Sequence, residues 1–294
     1  MKQPSFFQTE GNCEPAYKGL RDLDKVAHHR RFVEELWNTY APFADAHFLS
    51  DARTHLQERF WEMYLGCTLL QNGFNLCNPS AKGPEFYCRI EGVRCWFEAI
   101  TPGPGDGPDS VPEMEYNVHV ATRVPEEEIL LRLRHAIHEK YRKLQDYLSD
   151  KTVYEDEAYV LAINSRRIRP IVSDSTLPMI VKAVFPFGNL SVSFDTLTGK
   201  VVDEYHEHRD HIVKQSGSTV STDVFIDPQY ACISAVLYSS VDVANYPSVL
   251  GADFRLVHNP LARVPLRCGV LPSGIEYWKE GDQLKRKSQT EETV

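Results

Sequence analysis

The chain has 294 residues, a net charge of −9, 42% hydrophobic and 11% aromatic residues, a globular composition with ample material for one large or two ordinary domains. No apolar run approaches the roughly 18 residues needed to cross a bilayer, and residues 1–12 (MKQPSFFQTEGN) lack the charged start and apolar stretch of a signal peptide, so no membrane association and a cytoplasmic location are expected. Seven cysteines, an odd number without a C-x-x-C pair, argue against a zinc ribbon or a disulfide framework and for reduced core thiols.

Residues 1–50 read as an N-terminal segment, helical and irregular, with a helix over 24–40. Residues 54–71 (THLQERFWEMYLGCTLLQ) read as an amphipathic helix, with Leu56, Phe60, Tyr64, Leu65 and Leu69 at helical spacing and Glu62 interrupting the packed stretch. Residues 83–102 (GPEFYCRIEGVRCWFEAITP) predict a β-hairpin: two β-branched and aromatic runs, 86–90 and 93–100, joined by Glu91-Gly92. Cys88 and Cys95 are positioned to face each other across it. Residues 102–112 (PGPGDGPDSVP) form a Pro/Gly-rich loop without the Lys-Ser/Thr ending of a phosphate cradle.

Residues 125–148 begin with Pro and three Glu, then show an apolar stripe of Ile129, Leu133, Ile137, Tyr141, Leu144 and Leu148, which predicts a helix. A strand is expected over 159–163. Further strand-like runs follow at 180–185, 190–194, 219–226, 231–239 and 253–257, with no linker or repeat, so they extend the same sheet or cover it as a second layer. Residues 281–294, with Lys285, Arg286 and Lys287, read as a disordered tail. The organisation is thus an N-terminal helical segment (1–50), a core (52–165) and a β-rich extension of the same domain (178–280).

Two acids mark the hairpin: Glu85 opens the first run and Glu98 lies inside the second. A buried carboxylate needs a cation or a metal. The order helix with Glu62, Pro-Glu85, then Glu98 in a Glu-Ala-Ile-Thr strand resembles the restriction-endonuclease-like PD-(D/E)xK nuclease superfamily. It resembles in particular bacterial members in which a helical Glu precedes a Gly-Pro-Asp-Phe segment and a Glu-Ala strand. The resemblance implies an α/β fold, with a restriction-endonuclease-like mixed sheet core flanked by helices and the C-terminal strands extending or covering it. It also implies Glu62, Glu85 and Glu98 as catalytic residues and ligands of Mg²⁺ or Mn²⁺, with Glu85 standing where Asp is usual. Ile100 occupies the place of the superfamily's lysine, on the same strand face as Glu98. In the related proteins the following helix carries an equivalent of Lys140, which makes Lys140 the first candidate for the missing catalytic cation, ahead of Lys82 and Lys143.

Basic residues cluster at Arg132–Lys143, at Arg166, Arg167 and Arg169, and at 28–31. Each cluster alone reads as a solvated surface; together, near the acids in sequence, they fit a nucleic-acid channel in which Arg134, Lys143, Arg166 and Arg167 would hold the backbone. A homodimer is compatible with that reading. Two alternatives stand beside a metal-dependent nuclease. One is an inactive descendant that binds nucleic acid or protein, which Ile100 favours. The other is a zinc hydrolase, because residues 206–211 (HEHRDH) satisfy the H-x-H-x-D-H pattern of metallo-β-lactamase-fold enzymes. Further ligands are scarce downstream, where His258 is the only later histidine; the turn-forming Asn259-Pro260 beside it reads as structural.

Overall fold

The computed structural model describes residues 3–78, 83–113, 123–169, 177–271 and 273–288. Its elements run α1 (Pro15–Asp22), α2 (Ala27–Tyr40), α3 (Phe48–Ala52), α4 (Leu56–Gln71), β1 (Phe86–Ile90), β2 (Val93–Ile100), α5 (Glu126–Ser149), β3 (Ala158–Asn164), α6 (Met179–Val184), β4 (Phe187–Phe194), β5 (Val201–His208), β6 (His211–Val213), β7 (Thr219–Ser221), β8 (Ala235–Ser239), β9 (Arg255–His258), β10 (Ile275–Glu280) and β11 (Gln283–Ser288). Seven strands form one mixed sheet in the order β1-β2-β3-β8-β9-β10-β11, while β4-β5 and β6-β7 are separate two-stranded hairpins. Strands β2, β3 and β8 run parallel at the centre, the geometry of a strand-helix-strand crossover through α5.

Two apolar clusters lie on opposite faces of this sheet. One joins the side chains of α1–α4 to Phe86, Cys95, Phe97, Val160 and Ala162; the other joins α5 and α6 to Trp96, Tyr159, Leu161 and Ile163. The expected α/β architecture is therefore present, with β8–β11 extending the sheet. The N-terminal helices are part of its first core and not an appendage. Helix α4 is not amphipathic in the expected way: residues 60–69 are buried without interruption, because α4 lies between the sheet and α2 and α3 and over that stretch has no solvent face.

The hairpin forms with Ile90 opposite Val93 and a two-residue turn whose residues have φ of 51° (Glu91) and 87° (Gly92), the left-handed pair that matches strand twist. Cys88 and Cys95 do pair in register, as free buried thiols. Three expectations are corrected. Residues 180–185 are not a strand but fall in α6, and 219–226 divides into β7 and a 3-10 turn over Val224–Ile226; short apolar runs do not reveal their period. Lys285, Arg286 and Lys287 belong to β11, not to a disordered tail, since each has a partner on β10; residues 289–294 lie outside the described residues, as does Lys82. No helix among the described residues is long and apolar enough to cross a membrane.

Candidate functional site

The site gathers at the carboxyl ends of the parallel strands, the usual place for ligands in open α/β sheets. Helix α4 is set there by three bonds. Trp61 Nε1 donates to the Ala162 carbonyl at 2.9 Å, and Gln57 Nε2 donates to the Val241 carbonyl at 2.9 Å and to Asn164 Oδ1 at 3.3 Å. Glu14 caps the helix by accepting from the Leu56 amide at 2.9 Å. With α4 fixed, Glu62 meets Tyr40, whose hydroxyl donates to Oε1 at 2.8 Å, and Arg59, which donates to Oε2 at 2.7 Å. Arg59 also binds Asp51 at 2.6 Å and Asp45 at 3.2 Å.

Pairing of Phe86 with Phe97, carried one residue further, sets Glu85 opposite Glu98. Glu85 accepts from the Ala99 amide at 2.9 Å. Glu98 is fully buried and is bound from α5 by two lysines on one oxygen, Lys140 and, at 2.8 Å, Lys143; Tyr159 donates weakly to its other oxygen at 3.4 Å. Helical spacing of three residues brings both lysines to one carboxylate.

A cavity of about 450 Å³ is lined by Glu62, Glu85, Arg59, Ile100, Thr101 and Lys140, with Asp51, His55 and Glu58 at its wall. A second, of about 390 Å³, adjoins it through Arg59, Glu62 and Glu85. Thr101 Oγ1 is buried there without a protein partner. Burial, and then the charges of Glu98 and Glu62, push the Glu85 carboxyl up to about 8. Burial raises Glu62 too, opposed by Arg59 and Tyr40.

Glu62, Glu85 and Lys140 thus share one cavity, and Glu98 lies directly beneath Lys140. The three carboxylates do not all bring an oxygen within 4.8 Å of one another, and neither do the ligand atoms of His206, His208, Asp210 and His211. The histidines sit on β5 and the start of β6, where His211 pairs with Asp210 at 2.6 Å; this run does not form a zinc cluster. The basic residues divide. Lys143 reaches Glu98, and Arg167 binds Glu58 at the cavity wall. Arg166 is tied to Asp242. Arg134 is a correction: it is buried, donates to the Ser221 carbonyl, stands over the Tyr230 ring at 5.7 Å and faces a different cavity, so it offers no open surface to a nucleic-acid backbone.

Sequence reasoning missed Tyr40, Arg59 and Thr101. Arg59 had a local signal, three residues before Glu62; Tyr40 and Thr101 had none. An all-oxygen set of Glu62, Glu85 and Thr101 suits a hard divalent cation in kind. The chain matches no family model, no curated protein and no solved structure.

Proposed function

We propose that this chain is a metal-dependent nuclease of the restriction-endonuclease-like kind, hydrolysing phosphodiester bonds of DNA or RNA. The observation that carries the reading is one cavity lined by Glu62, Glu85 and Lys140, with Glu98 bonded to that same lysine. Glu62 and Glu85 would hold Mg²⁺ or Mn²⁺, with Thr101 beside them. The ion would supply Lewis-acid polarisation of a phosphate oxygen and a more acidic water. Glu98 would join the ligand set only where Lys140 and Lys143 release it; bonded as it is, it positions Lys140.

The chain's own groups account for the remaining steps. Lys140, held at the cavity wall, offsets the negative charge that grows on the phosphoryl oxygens. Arg59 restrains Glu62 in one orientation; Arg167, paired with Glu58 at the cavity wall, and the partly exposed Lys143 would serve as contacts for the phosphate backbone. The binding-module alternative is favoured by Ile100, which packs on the face of the sheet that carries Glu98, and by the two lysines that already neutralise that acid.

The test is cleavage of duplex and single-stranded DNA and RNA with Mg²⁺ or Mn²⁺ by the wild type, Glu62→Gln and Lys140→Ala. Cleavage by the wild type alone supports the nuclease. Cleavage equal in all three is contamination. Metal-independent binding without cleavage moves the assignment to the binding module.

A further inference from the structure

On the α1–α4 side of the sheet, at the end of β9, a second group of ligands converges. His258, Cys268 and Glu276 each bring a ligand atom within 4.8 Å of the other two, the only such group among the described residues. We propose that these three residues form a zinc(II) site, separate from the carboxylate cavity and of different chemistry.

The group is built, not a chance meeting of mobile side chains. His258 and Glu276 are 6% and 1% exposed, on parallel neighbouring strands, and the imidazole Nε2 lies 2.9 Å from Glu276 Oε2. The chain beyond His258 is anchored by Asn259, whose side chain donates to the carbonyls of Tyr230 at 3.0 Å and Ile233 at 2.8 Å. Cys268 comes from the connecting loop, and that loop is fastened to the same carboxylate: the Gly269 amide donates to Glu276 Oε2 at 2.7 Å and the Leu271 amide to Oε1 at 3.3 Å. The thiol is thereby held next to the acid by its own neighbour. His258 Nδ1 is buried without a protein partner, so the protein leaves the ring incompletely satisfied.

The donor types select the ion. One thiolate, one imidazole and one carboxylate suit zinc and its neighbours, whereas Mg²⁺ and Ca²⁺ require oxygen alone. Tetrahedral zinc bonds place ligands roughly 3.5 Å apart, a contraction that the exposed loop carrying Cys268 can provide while the two strand residues stay fixed. Lys287 stands opposite Glu276 in the strand register, a cation beside the one carboxylate of the set, so sulfur and imidazole are the deciding ligands. Three protein ligands leave a fourth position for water or a small anion.

Cobalt(II) titration of the full chain, under reducing conditions and with excess Mg²⁺ to saturate the carboxylate cavity, tests the site. Wild type is expected to take up one equivalent, with a thiolate-to-cobalt charge-transfer band in the near ultraviolet and tetrahedral visible bands, both displaced by zinc. Cys268→Ser, at an exposed position, should keep the fold, lose the charge-transfer band and weaken zinc binding roughly tenfold or more. Glu62→Gln should leave the cobalt spectrum unchanged. Absence of the band in wild type, its survival in Cys268→Ser, or its loss in Glu62→Gln would each overturn the proposal.

Discussion

Lys140 on α5 donates a hydrogen bond to Glu98 on β2, an acid 42 residues earlier in the sequence and entirely out of solvent. Lysine therefore reaches the strand acid from a neighbouring helix although Ile100 occupies the strand position two residues on. The pair links core stability to the chemistry of the cavity, and the two effects can be separated.

Lys140→Ala should abolish cleavage and destabilise the chain by about 1–3 kcal/mol, since a charge-assisted bond to a buried acid is lost while Lys143 still holds that acid. Glu98→Gln should free both lysines, and the double variant should be less destabilised than the sum of the singles. Urea midpoints of the four proteins measure this coupling; strictly additive losses would show that the two residues act independently.

The pH dependence of stability should carry the mark of Glu85. Its carboxyl is raised from 4.5 to about 8 in the folded chain, so between these values the unfolded state has lost its proton and the folded state keeps it. Stability therefore falls as pH rises through that window, with Glu62 contributing in the same direction. Glu85→Gln should flatten the slope of denaturation midpoint against pH between about pH 5 and pH 8; an unchanged slope would place the titration elsewhere.

Mg²⁺ at a hundredfold excess over its dissociation constant should stabilise the chain by about 2.7 kcal/mol. Below pH 8 its binding should release a proton from Glu85, so affinity rises with pH. Glu62→Gln should remove the Mg²⁺ stabilisation and Cys268→Ser should preserve it. Calorimetry in buffers of different ionisation enthalpy counts the proton.

Arg167→Ala should weaken nucleic-acid binding and reduce the slope of log affinity against log salt by about 1. Arg134→Ala should leave that slope intact and cost about 1–3 kcal/mol of stability, because a buried side chain that bonds the Ser221 carbonyl and packs over the Tyr230 ring is lost. A reduced slope for Arg134→Ala would show that it reaches the polyanion after all.

The amino-acid sequence by itself determined the elements whose signals are local. The hairpin follows from two β-forming runs and a Glu-Gly turn with left-handed φ at both residues, and α5 from its acidic first turn and regular apolar stripe. It also marked Glu62, Glu85 and Glu98, because acids within or at the edge of apolar segments stand out wherever they occur; Lys140 is singled out only by the resemblance to related proteins. Tertiary structure alone decided what those groups meet. Tyr40 reaches Glu62 from α2, Ser221 and Tyr230 turn Arg134 from a surface cation into a buried one, β10 converts a basic tail into a strand, and a loop carries Cys268 to His258 and Glu276. Tyr40 and Glu62 lie 22 residues apart and Arg134 and Ser221 lie 87 apart, so their meeting depends on how whole elements pack, which no local spacing encodes; β10 and β11 are joined by the short Gly281-Asp282 turn, but strand formation there needed the sheet edge that β9 offers.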